Sequence, residues 1–179
     1  NPSGNPTKEG NNDSSSTGLP VIQIQTTNPK DPERPLAFVT DPISDSVKIH
    51  AMSYNSNIED PMYKAPDPWY EVCNVTVKNK SGTVELDNLK AKVKSRGNYT
   101  TTYDKKGIRI KFDKKQSVLG MHDGKKFKNW VLLAEWKDFS MVRDYASYNL
   151  MRLINDKYYA SDCQFVEVYI NKEYWGVYL

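Results

Sequence analysis

Residues 92–133 read KVKSRGNYTTTYDKKGIRIKFDKKQSVLGMHDGKKFKNWVLL, and how this stretch folds decides the architecture of the chain. It joins a turn at Arg96, Gly97 and Asn98, a doubled lysine at Lys105 and Lys106, an alternating strand and an apolar run. In the alternating segment Gly107 to Phe112, Ile108, Ile110 and Phe112 face one way, while Arg109 and Lys111 face the other. The run Asn129 to Glu135 (NWVLLAE) has no such alternation and is expected to be a central strand buried on both faces. Between Lys90 and Lys128 the sequence holds thirteen Lys or Arg against three Asp, a concentrated basic region.

The same period of two extends upstream. Trp69 to Lys78 places Cys73, Val75 and Val77 on one face and Val72, Asn74 and Thr76 on the other, as in a half-buried antiparallel strand. Short strands are expected at 19–27, 37–40, 46–53, 83–86 and 89–94. A proline-rich loop is expected over 54–68, and a hairpin over 165–170 and 174–179. One convincing helix is expected from Ser140 to Asn155, capped by Asp138 or Ser140, with Val142, Ala146, Leu150, Leu153 and Ile154 forming its buried stripe. The fold class is therefore α+β, mainly antiparallel sheet with one principal helix.

Residues 1–18 contain no large apolar side chain and read as a flexible leader or linker, and 19–179 as one domain. The closing GVYL (176–179) lies inside an apolar strand, so the expectation is the front portion of a larger fold. A net charge of +3 supplies no strong whole-protein field for nucleic acid, and no apolar run is long enough to span a membrane. Cys73 and Cys163 are isolated, as are His50 and His122, so no zinc site is expected. Cys73 falls in an apolar register, which favours a buried thiol over a disulfide.

Five residues are candidates for binding an anion. Arg96 and Asn98 flank the glycine of a strand-end turn, where a guanidinium can fork onto phosphate or pair with an acidic neighbour. Lys106 shares the register of Ile108 and Ile110, which turns it toward the interior, where it meets phosphate or snorkels outward. Lys111 points to the opposite face, as a second candidate or as strand decoration. Arg143, at the edge of the helix stripe, reaches an anion or forms an ordinary salt bridge. A weaker possibility is an aromatic ledge on Tyr63, Trp69 and Tyr70. No Walker A loop, nucleophile elbow or His-Glu-x-x-His motif is present.

Three stretches, RGNYTTTYDKKGIRIKFDKKQSVLGM, FKNWVLLAEWKDFSMVRDYASYNLMRLI and FVEVYINKEYWGVYL, resemble the spore coat protein H (CotH) kinase-like family. The resemblance covers Lys92 to Leu179 and implies a secreted or cell-surface, usually bacterial, protein with an atypical protein-kinase-like fold. It implies use of ATP and a divalent metal (Mg or Mn) to phosphorylate protein Ser or Thr, with Lys106 or Lys111 as the nucleotide lysine. The partners implied are a substrate protein or a coat or cell-surface protein, together with a carboxy-terminal lobe that carries the catalytic and metal-binding Asp residues beyond Leu179. Asn149 stands where many relatives carry Glu. The alternative is a non-catalytic cell-surface, coat or cellulosome-associated module of the same fold.

Overall fold

The computed structural model describes residues 17–29, 31–40, 70–97, 99–154 and 157–179. Seven strands form one sheet: β1 (Val21–Thr26), β2 (Glu71–Lys78), β3 (Val84–Arg96), β4 (Gly107–Gln116), β5 (Phe127–Leu132), β6 (Val166–Ile170) and β7 (Glu173–Tyr178). A helical turn α1 (Ala37–Thr40), a 3-10 turn (Tyr99–Thr102) and one long helix α2 (Arg143–Ile154) complete the described elements. The spatial order is β5-β4-β3-β2-β1-β6-β7, and only β1 and β6 run parallel. The α+β class with a single principal helix is thus observed.

Alternation in the strands places one apolar set on a common inner face. Ile24 lies opposite Val75, Cys73 opposite Ala91, Val93 opposite Ile110, and Ile22 opposite Val168. Each of these is buried, while Val72 on the outer face is 45% exposed. Both cysteines are free thiols, and burial, ahead of the nearby Asp113 and Glu71 charges, pushes the Cys73 thiol up to about 12.

The sheet curls until its ends meet. Beyond the last residue of β5, the Leu133 N–H donates to the Leu179 carbonyl at 2.7 Å, and the Leu179 N–H returns a bond to the Leu133 carbonyl at 3.1 Å. This reciprocal exchange is the hydrogen-bonded pair of an antiparallel ladder. It joins the two margins of the sheet and turns the inner face into an enclosed core.

The hairpin β6–β7 forms as its sequence predicts. Asn171 and Lys172 both take positive φ, 52° and 70°, matching the right-handed strand twist. The Asn171 side-chain oxygen accepts from the Thr26 N–H (2.9 Å), the Thr26 hydroxyl (3.0 Å) and Gln25 (3.1 Å), which ties the hairpin tip to β1.

Several expectations are corrected. Residues 37–40 are a helical turn rather than a strand, because Asp31 accepts from the Glu33 and Arg34 N–H groups and starts a local turn series. The two short strands at 83–86 and 89–94 are one strand, β3. Its pairing shifts opposite Val75 and Val77, where Asn88 takes φ 49° and its N–H finds the Thr76 hydroxyl at 3.0 Å. The apolar run 129–135 is not a central strand. Its regular part pairs only with β4, Val131 is 36% exposed, and only Leu132 is buried. The main-chain groups of Leu133 go instead to the seam with Leu179.

The helix begins at Arg143, not Ser140, and none of its residues is buried. Val142, Leu150, Leu153 and Ile154 are exposed, so the expected stripe exists in sequence but is uncovered among the described residues. The helix is held by a Tyr145–Phe165 ring stack at 5.1 Å and by an ion pair from Arg152 to Asp162. The expected strand at 46–53, the loop at 54–68 and nearly all of the leader lie outside the described residues, as do Tyr63 and Trp69.

Because Ile110 is 1% exposed in the middle of β4, Ile110→Ala should cost about 2–5 kcal/mol. Val72→Ala on the outer face should stay within about 0.5 kcal/mol. Urea unfolding of the two variants checks the assignment of faces.

Candidate functional site

The sheet seam gathers side chains from four stretches of chain. Lys105 precedes β4, Glu135 follows β5, Asp144 and Tyr148 belong to α2, and Gly176 to Tyr178 form the end of β7. Lys105 lies at the centre. Its ammonium donates to the Val177 carbonyl and sits 4.4 Å from the centroid of the Tyr178 ring, a cation–π contact. Burial lowers its pKa, and the Glu135 carboxylate opposes that shift. Gly176 takes φ 113°, a backbone conformation that favours glycine, where β7 runs beside the lysine.

Glu135 takes φ 50° as the chain leaves the seam, and its carboxyl is raised to about 7. Burial contributes most, followed by the Asp144 charge, a hydrogen bond with the Asp144 carboxyl and the Asp138 charge; Lys105 acts in the opposite sense. Glu135 therefore takes up a proton near neutrality, beside the Asp144 carboxyl and an ammonium group. Such a group can exchange a proton at physiological pH, and its charge balance responds to an anion brought to Lys105. One helical turn on, Tyr148 is raised by burial and by the Asp144 charge and lowered by the Arg96 charge.

Asp138 organises the helix start. One oxygen accepts from the Ser140 hydroxyl (2.6 Å) and N–H (3.1 Å), the other from the Arg143 N–H (2.8 Å). The Ser140 hydroxyl bond, with the Arg143 amide next, holds its carboxyl below the ordinary value. Asp138 thus serves as the N-terminal cap, as one of the two residues expected to do so.

Next to this cluster the curled sheet encloses a cavity of about 280 Å³, walled by Ile22, Val75, Ile110 and Phe112, with Arg96 and Tyr148 also lining it. Arg96 ends β3, exposed, and pairs with Gly107. Asn98 lies outside the described residues. Lys106 is 5% exposed, as its register predicts, and its ammonium donates to the Tyr103 carbonyl at 2.9 Å. Lys111 is exposed on the outer face, on the opposite side of the sheet from the cavity. Arg143 is the first residue of α2 and lies 3.5 Å from Asp138, in the ordinary salt bridge that was one of its two readings. Of the four candidates among the described residues, Arg96 lines the cavity together with Tyr148, and Arg143 borders the cluster through its pair with Asp138.

Sequence reasoning passed over Lys105, because the parity of β4 selected its neighbour, and over Glu135 and Asp144, because nine residues separate them. The spacing of Asp144 and Tyr148 by four residues was the available signal, since it puts both on one face of a helix.

The family model described as CotH kinase protein matches residues 93–179. The match begins inside β3 and includes every residue of the seam cluster, so the CotH resemblance read from the motifs is borne out over that segment. No curated protein matches the chain.

The Glu135 carboxyl has a testable linkage. Its folded value near 7 exceeds its ordinary 4.5, so the folded state binds the extra proton between those values and stability falls as pH rises through that window. The Tm should decrease from pH 5 to pH 8. Glu135→Gln, which keeps a neutral hydrogen-bonding group, should flatten the slope; an unchanged slope in thermal melts would place the proton elsewhere.

Proposed function

We propose that this chain carries the nucleotide-facing half of a CotH-type phosphotransferase, a secreted or cell-surface protein that uses ATP and a divalent metal to phosphorylate protein Ser or Thr. One observation carries this reading: a half-buried ammonium, Lys105, bonds to the end of β7 and interacts with the Glu135 carboxyl, which lies beside Asp144. A kinase-like lobe needs a lysine oriented toward phosphate by a carboxylate. Lys105 meets that need better than Lys106, because the Glu135 carboxylate acts on the Lys105 ammonium, whereas Lys106 is 5% exposed. Arg96 is the second cation, at the turn that leads into the segment. Lys111 belongs to the far side of the sheet and has no part in this reading.

Lys105 and Arg96 fit the phosphates of a nucleotide by charge and by placement on one side of the curled sheet. The metal is a different matter. Among the described residues no group of three or more His, Cys, Asp or Glu assembles a metal site. The residues described here do not fit a metal by themselves, and no step is assigned to one.

A specific observation supports the non-catalytic alternative. The Asn149 amide donates to the Tyr145 carbonyl at 2.8 Å and approaches the Cys163 sulfur at 3.8 Å, so this helix position gives no carboxylate to a lysine. If Glu135 and Asp144 do not replace it functionally, the fold serves as a binding module.

Titration of the chain with ATP and Mg²⁺ separates the two readings. Lys105→Ala should weaken binding by about tenfold or more, as expected for loss of a charge-assisted contact to phosphate. Lys106→Ala should lose stability in a thermal melt but keep its affinity at temperatures where it is folded. Equal, negligible binding by the parent chain and Lys105→Ala would favour the binding module.

A further inference from the structure

The pair that closes the sheet also fixes a register beyond itself. Leu133 and Leu179 exchange both main-chain bonds, so the next hydrogen-bonding positions on that edge of β5 are Val131 and then Asn129. Leu132 and Trp130, between them, turn their main-chain groups toward β4. Among the described residues no main-chain bond reaches Val131 or Asn129 on the edge away from β4.

The opposite margin is in the same state. The Glu167 N–H donates to the Pro20 carbonyl beside β1, so Val166 and, two residues earlier, Gln164 direct their main-chain groups toward the side of β7. Val166 finds its partner there in Tyr178, whereas Gln164 has no main-chain partner among the described residues. The cavity of about 280 Å³ is lined by Asn129 and Val131 from one margin, by Cys163 and Gln164 from the other, and by Leu179. Trp130 lines it too, and its indole N–H is buried without a partner among the described residues. Two unpaired edges on one cavity make a slot for a strand, since an interior strand bonds to a neighbour on each side.

We propose that this slot is a docking surface for an extended strand that runs in the direction of β7, antiparallel to β5, and belongs to the carboxy-terminal portion of the same protein. The proposal rests on the reading of this chain as one half of a phosphotransferase, and it names where the other half is held. The register runs straight on from Leu179, in line with β7, which favours a strand continuous with β7 over one brought by another chain. The docked strand bonds to Val131 and Asn129 on one edge and to Gln164 on the other. Cross-strand partners share a face, so its residues opposite Leu132 and Trp130 point inward, and the residue between them points out. The inward positions take apolar side chains, because Leu132 is buried and Ile22, Val75 and Phe112 wall the cavity. A slip of one residue turns those side chains to the outer face.

The test extends the 179-residue chain past Leu179 by Val-Thr-Val-Thr, which sets valine at both inward positions. The control extension, Thr-Val-Thr-Val, sets valine outward. Hydrogen exchange followed by NMR should show the Val131 and Gln164 amides protected by about tenfold or more in the first extension relative to the parent chain. Its Tm should rise by about 4–8 °C, and that of the control by less than half as much. The proposal is overturned if those amides stay unprotected in the first extension, or if both extensions give equal protection and equal Tm gains. It is equally overturned if the parent chain forms a dimer in sedimentation velocity that protects the same amides, since a second copy then fills the slot. No nucleotide enters these measurements, so a failure to bind ATP would remove the phosphotransferase reading without altering the strand result.

Discussion

The reciprocal main-chain bonds between Leu133 and Leu179 are the constraint on which the rest of the structure depends. A seven-stranded sheet with free margins would expose one face of each outer strand and leave the inner residues of β4 and β6 half covered. Bringing the margins together encloses Ile108, Ile110, Val166 and Val168, which are all essentially inaccessible to solvent. The same closure places the residues just before β4 and just after β5 against the end of β7. Lys105 thereby meets the Val177 carbonyl and the Tyr178 ring, and Glu135 meets Asp144 across the start of the helix.

The cluster is electrostatically economical because each group moderates the next. Lys105 alone would be a half-buried cation losing hydration, and Glu135 alone a half-buried anion. Together they oppose each other's shifts, Glu135 working against the burial of Lys105 and Lys105 against that of Glu135. Tyr148 is acted on by both Asp144 and Arg96.

Much of the fold was legible because alternation is a local signal. The burial of Cys73, Val75, Val77, Ile108, Ile110 and Phe112, and the hairpin around Asn171, follow from side chains that alternate at a period of two. The cap on Asp138 was legible for the same reason, since its partners lie within five residues. The errors share a different cause. The run NWVLLAE is as apolar as a central strand, but its place in the sheet depends on which strands lie beside it. The stripe on α2 has helical spacing, but spacing does not supply a surface to cover it. Lys105 and Lys106 are adjacent, and parity within β4 could only indicate which of them faces inward along that strand.

The sequence by itself determined the strand faces, the single helix, the hairpin turn and, through three motifs in order, the CotH resemblance over the region that the family model matches. These features depend on residue identity over short spans, where backbone geometry relates spacing directly to side. Only the tertiary structure decided that β5 is a margin, that the sheet closes through Leu133 and Leu179, and that Lys105 rather than its neighbour meets a carboxyl pair. Those outcomes depend on the curl accumulated over seven strands. Curl arises from the twist of every strand pair together, and no window of residues contains it.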